Sequence, residues 1–476
     1  MKNTDYLSTI TKIEKELADW KYFDAIRDRS IVTTIYLIYL KYLSDIHHEI
    51  VFERLIKTYK NEGIFDVGVI NKLLEIRLTE IDCSDDIAVK YLKDIDFTKM
   101  PYEFVKVLED INNLDFIDET VVSKLVCALI LRFSSLYGLH TFREDVSQND
   151  MNLVLCATDL LNVDNNMCIY DCACGTGTLL AMAGATGSVL YGQEEDVERA
   201  VVAYILCKMA GAREVHIDVG DVLQKTMSVK YAIDKVDRII SAPPLTDKYV
   251  NQQKLHSSDI QSEFLYGDSI PDSGLWIYAR HMIQKLKESG TGVMIAPCSL
   301  LSREGNTKDD RYRIVRRNSI KAVIQLPTWS STRAVRLCII ILEKGEESKL
   351  FTKIQMIDLS SNKGEKYFLD KSRSNGVKIL DSKKLTHFIN ENIELDGISG
   401  LVEIEEIEKH DYNLTPGIYL REITDMIKQR ERTVDMLEQQ KELLNQYHQS
   451  EKELNDAVLN YYQFLGSKQD KENVNE

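Results

Sequence analysis

Between residues 167 and 297, short runs rich in β-branched residues alternate with longer stretches of helical periodicity. Candidate strands are "MCIYD", "SVLYGQE", "EVHIDV", "VDRIISA" and "TGVMIAP", and candidate helices are "EDVERAVVAYILCKMAG" and "GLWIYARHMIQKLKESG". A helix between two strands carries the chain back to the end where the first strand began, so such strands pair in parallel. The alternation therefore predicts an α/β fold with a Rossmann-like parallel sheet.

Two further runs, "IKAVIQLP" and "VRLCIIILEKG", are rich in Val and Ile and lie close together. They bring the predicted sheet to seven strands. One of them is expected to pair antiparallel at the edge of the sheet. We assign residues 141–350 to this α/β domain.

The regions on either side of the sheet differ in composition. Before Gly138 the chain contains only two glycines and one proline, and "RSIVTTIYLIYLKYLSDI" spaces its apolar residues by three and four. This pattern predicts a helical domain over residues 1–140. A small mixed region is expected over residues 351–420.

The C-terminal segment carries a heptad pattern, which predicts a long helix or coiled coil over residues 421–466. Polar residues interrupt both heptad positions, as expected for pairing with a specific partner, and a helix folded back on its own chain is the alternative. Residues 467–476 are predicted to be disordered. The apolar heptad residues are Ile423, Leu437, Leu444, Val458 and Leu465 at one position and Met426, Tyr447, Leu454 and Tyr461 at the other.

Charge, cysteine content and hydropathy limit the possible functions. The formal charge of −16 gives no overall attraction to phosphate, so nucleic-acid binding requires a local basic surface. The nine cysteines show no C-x-x-C pair or metal-ligand spacing, which predicts reduced thiols and no metal site. Without an apolar leader or a membrane-length apolar run, the chain is expected to be cytoplasmic and away from membranes.

A glycine-rich segment, residues 171–177, follows the first predicted strand and is here called the cofactor loop. In "DCACGTGTLL", Asp171 ends the strand, and Gly175, Thr176 and Gly177 precede a helix. Glycine lets the backbone turn sharply and approach a ligand closely. For the tripeptide alone, a simple strand-to-helix turn is the alternative.

Acidic residues at the ends of the next two strands favour a ligand site. Glu194 lies 23 residues after Asp171, at a position where a carboxylate accepts hydrogen bonds from two ribose hydroxyls. Asp221 follows the third strand and could accept from an adenine amino group. Because the loop lacks a P-loop lysine, the predicted ligand has ribose and adenine but no phosphate, as in S-adenosylmethionine.

In this order, "DCACGTGTLL", "LYGQE", "GDVL" and "IISAPPL" resemble the motifs of the modification (methyltransferase) subunit of Type I restriction-modification systems, an adenine-N6 DNA methyltransferase family. "LKYLSD" at residues 40–45 and "IEEIEKHDYNLTPGIYL" extend the resemblance over most of the chain. It implies S-adenosylmethionine as cofactor, DNA as substrate and a specificity subunit bound through the C-terminal helix. The family motif D-P-A-C-G-T-G-G-F-L is matched at Asp171, Ala173, Cys174, Gly175, Thr176, Gly177 and Leu180.

The main departure lies in residues 241–245, here called the reaction loop. The family's catalytic motif N-P-P-F or N-P-P-Y aligns with Ala242, Pro243, Pro244 and Leu245. In the family, the asparagine oxygen and the first proline carbonyl accept the two hydrogens of the adenine amine, and the aromatic ring stacks on the flipped base. Loss of one such acceptor typically costs ~3–4 kcal/mol of transition-state stabilisation.

Two substitutes for the missing acceptor are conceivable. Ser241 is adjacent, but neighbouring side chains of an extended strand point to opposite faces. A group from a partner subunit is the other.

The stretch from Arg303 to Arg336 contains nine basic and three acidic residues, the most basic part of the chain. The resemblance places this stretch near DNA and implies phosphate contacts. A solvated helix face with i,i+4 ion pairs is the alternative. The candidate contacts are Arg311, Arg313, Arg316, Arg317, Arg333 and Arg336.

Two functions follow from these observations. The first is a catalytically impaired or silent member of the family that clamps DNA and supports assembly in a restriction or anti-phage complex. The second is an active but slow adenine-N6 DNA methyltransferase that works with a specificity subunit. A second modification-type subunit and a nuclease or translocase subunit are further expected partners.

Overall fold

The computed structural model describes residues 6–18, 27–46, 51–63, 104–114, 148–184, 187–223, 235–244, 274–304, 306–317, 319–327, 336–344, 352–370, 379–420 and 436–454, with isolated residues between 116 and 129 and residue 433. The chain divides into two units, Met1–Leu420 and Arg421–Glu476.

The first unit is built on one large sheet. In the described residues it has nine strands, in the order β11-β8-β6-β7-β5-β4-β1-β2-β3. Its strands are β1 Cys168–Asp171, β2 Val189–Glu194, β3 Glu214–Val219, β4 Val236–Ser241, β5 Leu286–Pro297, β6 Ile320–Gln325, β7 Leu337–Glu343, β8 Lys353–Asp358 and β11 Ser399–Glu403, while β9 Leu369–Asp370 and β10 Ile379–Leu380 form a separate ribbon.

Strands β1 to β5 pair in parallel, as the alternation of strands and helices predicts. Two predictions were wrong. The sheet has nine strands instead of seven in the described residues, because β8 and β11, from the region 351–420, extend it. The antiparallel direction expected for one of the two runs is found in β7, where the short connection over 326–336 makes β6 and β7 an antiparallel pair, but β7 lies between β5 and β6 instead of at the edge.

The described helices surround this sheet. The described residues before residue 115 contain four helices and no strand. The helices are α1 Tyr6–Ala18, α2 Arg27–Ile46, α3 Val51–Glu62, α4 Phe104–Asn112, α5 Gln148–Leu161, α6 Thr178–Ala183, α7 Val197–Met209, α8 Gly274–Lys285, α9 Asn306–Arg316, α10 Asn362–Phe368, α11 Ser382–Asn390, α12 Ile404–Lys409 and α13 Pro416–Tyr419, with a 3₁₀ turn at Cys298–Leu301. None of the described helices combines the length and apolar character needed to cross a membrane.

Both faces of the sheet are buried. Successive strand residues belong to opposite apolar clusters: Ile169 lies with α5, α6 and α7, and Tyr170 lies with α8 and α9. The same alternation separates Ile239 from Ile240. This period of two is what a pleated strand imposes, and burial on both faces explains why the strands read as nearly continuous apolar runs.

Helix α7 joins the helical region to the sheet. Nine of its thirteen residues are buried, because it packs against α2 on one side and against β2 and β3 on the other. The apolar run from Ala200 to Cys207 covers more than one face of the helix, which is typical of a helix packed between two layers. The position of α7 therefore depends on both neighbouring layers, and α7 in turn supports the cofactor loop.

Candidate cofactor and reaction site

The carboxyl ends of β1 and β4 meet where the strand order of the sheet reverses. From β1 the chain continues outward through β2 and β3, and it then returns to β4 on the other side of β1. In open α/β sheets, ligands bind in the crevice at such a reversal. Because Asp171 ends β1 and Ser241 ends β4, the cofactor loop and the reaction loop both leave the sheet at this crevice.

Two glycines of the cofactor loop have different steric surroundings. Gly175 and Gly177 have φ angles of 55° and 78°, in the left-handed region that glycine tolerates. A Cβ on Gly177 would lie 2.7 Å from the Cα of Ala203 in α7, whereas a Cβ on Gly175 would meet no atom within 4 Å. Gly177 therefore permits close packing on α7, and Gly175 borders open space.

Glu194 holds this loop in place. Its Oε2 accepts the N–H of Gly175 at 3.0 Å, and its Oε1 accepts the N–H of Asp196 at 3.0 Å. Burial raises the pKa of Glu194, opposed by these two donors and by the Arg199 guanidinium 3.7 Å away. Each carboxylate oxygen has a second lone pair, so the predicted ribose contact remains chemically open.

Asp171 is almost completely buried, with 1% of its surface exposed. Its Oδ1 accepts the N–H of Ala173 at 3.0 Å and the hydroxyl of Ser241 at 2.7 Å. Burial raises the pKa of Asp171 to about 7, against the opposing effect of these two hydrogen bonds, and the charge of Glu194 adds to the rise. Asp171 is thus a titratable group in the physiological range.

The remaining predicted contacts lie around the same crevice. Asp221 is half-buried after β3, and its Oδ1 accepts the N–H of Leu223 at 3.0 Å. Thr176 is buried, with its hydroxyl 3.3 Å from that of Thr178 inside the loop, and Ala173 is half-buried. The predicted cofactor contacts therefore lie near the carboxyl ends of β1, β2 and β3.

Sequence reasoning missed Tyr278 of α8. Burial raises the pKa of its phenol, and the acidic groups of Cys172, Asp221 and Glu194 add to this rise. The only sequence signal was an aromatic residue in a candidate helix that also contains Trp276, which is fully buried core. Helical periodicity alone does not distinguish the two roles.

The residues of this crevice fit S-adenosylmethionine. The three acids offer hydrogen-bond acceptors, while the ammonium, the ribose hydroxyls and the adenine amine of that molecule are donors. The open space beside Gly175 leaves room for a ligand to approach the backbone. Asp171, Glu194 and Asp221 are the residues that would hold it.

The reaction loop starts from a buried position. Ala242 is 4% exposed and Pro244 is half-buried, whereas Leu245 lies outside the described residues. Ser241 is fully buried, donates its hydroxyl to Asp171 and accepts from the Cys172 thiol at 3.5 Å. Its side chain thus faces the cofactor loop.

Arg311 was predicted to contact DNA, and its position is incompatible with that role. The side chain is fully buried. Its Nε donates to the Tyr412 carbonyl at 2.6 Å and its NH1 donates to the Arg303 carbonyl at 2.8 Å. The guanidinium thereby joins α9 to the segment after α12. The sequence around Arg311 is rich in charged residues and gave no sign that this side chain is buried.

The other predicted arginines differ in exposure. Arg316 is exposed, but it pairs with Glu408 and donates to the Tyr412 hydroxyl at 3.2 Å. Arg317 and Arg336 are exposed and Arg313 is half-buried, whereas Arg333 lies outside the described residues. The basic stretch therefore combines structural ion pairs with exposed cations.

The sequence profile of the N-6 DNA methylase family matches residues 151–426. The chain belongs to this family. The match runs from α5 through the cofactor and reaction loops to the start of the second unit, so the site described above lies inside it.

Individual curated proteins are also similar in sequence to this chain. A Type I restriction enzyme methylase subunit, MjaVIII, from Methanocaldococcus jannaschii is 27% identical over 319 residues, which are 62% of this chain and 51% of that protein. The chain thus spans about half the length of the curated relatives it matches.

Two solved structures share the fold. The methyltransferase subunit of a Type I restriction-modification system from Streptococcus thermophilus superposes with a TM-score of 0.65 at 18% identity, covering 86% of this chain and 97% of that one. A chain from a study of the assembly and conformational transition of a Type I system has a TM-score of 0.58 at 16% identity, covering 93% and 98%.

Gly175 and Gly177 of the cofactor loop are expected to differ in their tolerance of alanine. Gly177→Ala combines a left-handed φ with a clash against backbone, so we expect a loss of ~2–5 kcal/mol in the free energy of unfolding. Gly175→Ala carries only the φ penalty of ~1–2 kcal/mol. Urea denaturation of both variants measures the difference, and equal losses would contradict the close packing on Ala203.

Asp171 is expected to make stability depend on pH. Its pKa is about 7 in the folded protein and 3.8 ordinarily, so its contribution is fully present below pH 4 and is lost as pH rises through 7. Asp171→Asn should therefore gain stability relative to wild type as pH rises from 4 to 8, by on the order of 4 kcal/mol. Denaturation across this range measures the gain.

Asp237→Asn is a matched variant for which we expect the opposite change of stability with pH. Burial favours the neutral form of Asp237, but hydrogen bonds from Lys287 and the Cys168 N–H outweigh it and lower the pKa. This variant should lose stability relative to wild type as pH rises. A difference between Asp171→Asn and wild type that is independent of pH would show that Asp171 is not protonated near neutrality.

Proposed function

We propose that this chain is a modification subunit of a Type I restriction-modification-like system that binds S-adenosylmethionine and DNA but is catalytically impaired or silent. It acts as a DNA-clamping and assembly subunit in a restriction or anti-phage complex. The observation that carries the proposal is the state of the reaction loop, where Ala242 has no side-chain acceptor and the Ser241 hydroxyl is engaged with Asp171.

The chemical consequence follows from the amine to be methylated. Bound S-adenosylmethionine supplies an electrophilic methyl group. The lone pair of an adenine amine is delocalised into the ring, so acceptors must draw on its hydrogens to localise it. Of the two acceptors that the family motif supplies, this sequence retains the Pro243 carbonyl, which predicts a rate lower by roughly 10²–10³.

Loss of the aromatic ring acts in the same direction. Leu245 stands where the family has phenylalanine or tyrosine, and stacking of a base on an aromatic ring is worth ~1–3 kcal/mol. The two losses affect the same bound base and need not be additive. Together they favour a subunit that binds without reacting.

An active, slow methyltransferase is the second candidate. It is favoured by the retained cofactor loop and by the acids Asp171, Glu194 and Asp221, which lie at or just after the carboxyl ends of β1, β2 and β3. In that case the missing acceptor comes from a partner subunit, and activity appears only in the assembled complex.

The C-terminal helix supports an assembly role. Over residues 436–454 its apolar side chains remain exposed, with Leu437 at 53%, Leu444 at 61% and Leu454 at 65%. Their heptad spacing is typical of a helix that pairs with another helix. We assign this stripe to a specificity-type subunit, whereas Ile423, Met426, Val458, Tyr461 and Leu465 lie outside the described residues.

One comparison tests the proposal. Calorimetry should show that wild type binds S-adenosylmethionine and Glu194→Ala does not, while a methylation assay with specificity subunit and cognate DNA detects no adenine-N6 product. The double change Ala242→Asn and Leu245→Phe should raise product formation by at least ~10² if restored contacts return the lost rate. Robust methylation by the wild-type complex would establish the second candidate instead.

DNA binding is expected to use the exposed arginines and not the buried one. Arg317→Ala and Arg336→Ala should each reduce the slope of log K against log salt concentration by about 1, because each removes one phosphate contact. Arg311→Met should lower thermal stability without changing that slope. Fluorescence anisotropy of a labelled duplex at several salt concentrations measures this, and an unchanged slope in the first two variants would remove them from the interface.

A further inference from the structure

We propose that Ser241 is a positioning residue, which keeps the reaction loop in register with the cofactor loop by donating its hydroxyl to Asp171. The proposal rests on the proposed function, since it treats Asp171 as part of a site for S-adenosylmethionine. It assigns a role to the residue just before the degenerate motif.

The backbone pairing of the two strands ends before these residues. The register of β1 with β4 pairs Ile169 with Arg238 and Tyr170 with Ile239, and it extends no further. Beyond this pairing, the Ser241 hydroxyl donates a hydrogen bond to Asp171 Oδ1 at 2.7 Å. A side-chain hydrogen bond thus continues the contact between the strands at the point where the two loops diverge.

The bond is shielded and shared. Ser241 is fully buried and Asp171 is 1% exposed, so water does not compete for either group. The same carboxylate oxygen accepts the Ala173 N–H at 3.0 Å. One oxygen atom therefore connects the end of β4 with the turn of the cofactor loop, and Ala242 and Pro243 follow directly from this anchor.

The surroundings of Asp171 make the Ser241 donor important. The titratable groups that face the carboxyl come from its own strand end, from the loop, from β2 and from α7. Each favours the neutral carboxyl when it is itself ionised, whereas the Ser241 and Ala173 donors favour the carboxylate. The facing groups are Cys172, Cys174, Glu194 and Cys207.

A measurable consequence follows for the variant without the hydroxyl. Ser241→Ala removes one of two donors to the carboxylate and should raise the pKa of Asp171 by about one pH unit. At pH 7 the carboxylate population then falls by roughly 5-fold, and at pH 9 it is nearly restored. Affinity for S-adenosylmethionine should follow the same pH profile, weaker at pH 7 and close to wild type at pH 9.

The experiment measures two quantities on the full chain. Carbon-13 NMR of labelled aspartate carboxyls gives the pKa of Asp171 without ligand, with Asp171→Asn assigning the resonance. Calorimetry from pH 6 to pH 9 gives the affinity for S-adenosylmethionine. Ser241→Thr retains a hydroxyl and should keep the wild-type pH midpoint, which packing alone does not predict.

A matched control is Ser399→Ala. Ser399 is also buried in the sheet, but it lies in the edge strand β11, away from β1 and β4. It donates to the Ile393 carbonyl and accepts from Gln355. It should leave both pH profiles unchanged. If Ser241→Ala does not fold, Ser241→Cys carries the same test, because the weaker thiol donor predicts a smaller shift of the same sign.

The outcomes separate this inference from the proposed function. An Asp171 titration in Ser241→Ala identical to wild type, or a loss of affinity equal at pH 7 and pH 9, would overturn the positioning role. Absence of S-adenosylmethionine binding by wild type at every pH would instead overturn the proposed cofactor. The ligand-free titration would still decide the role of Ser241.

Discussion

Parallel pairing of β1 with both β2 and β4 is the constraint on which the candidate site depends. The carboxyl ends of neighbouring parallel strands lie side by side, so Asp171, Glu194 and Ser241 lie close together. Asp171 and Ser241 are 70 residues apart in the sequence. A slip by one residue would turn each of these side chains to the opposite face.

Bringing carboxylates together inside a protein has a cost. Burial raises the pKa of both Asp171 and Glu194, and ionised carboxylates in low dielectric are unfavourable unless hydrogen bonded. The backbone N–H groups of Ala173, Gly175 and Asp196 reduce that cost, and they also define the shape of the cofactor loop. The same hydrogen bonds that stabilise the acids thus preorganise the loop for a ligand with matching donors.

The parts that sequence reasoning predicted and missed have physical explanations. The α/β alternation and the acids at the strand ends could be predicted from local periodicity, because each strand, helix or strand end is encoded within one short segment of sequence. The insertion of β7 between β5 and β6 and the burial of Arg311 depend on long-range packing, since Arg311 bonds to Tyr412, 101 residues away. The Ser241–Asp171 bond belongs to the same class, because strand alternation does not predict which group the Ser241 hydroxyl contacts.

Residue 242 lies in a buried part of the fold, where a polar side chain without a hydrogen-bond partner is costly. Ala242 is 4% exposed and belongs to the apolar cluster that contains Ile240 and Val293. A buried amide at this position would cost free energy until a base hydrogen-bonded to it, whereas alanine carries no polar group to satisfy. Alanine at residue 242 therefore suits the burial of this position, and the neighbouring Ser241 donates its hydroxyl to Asp171.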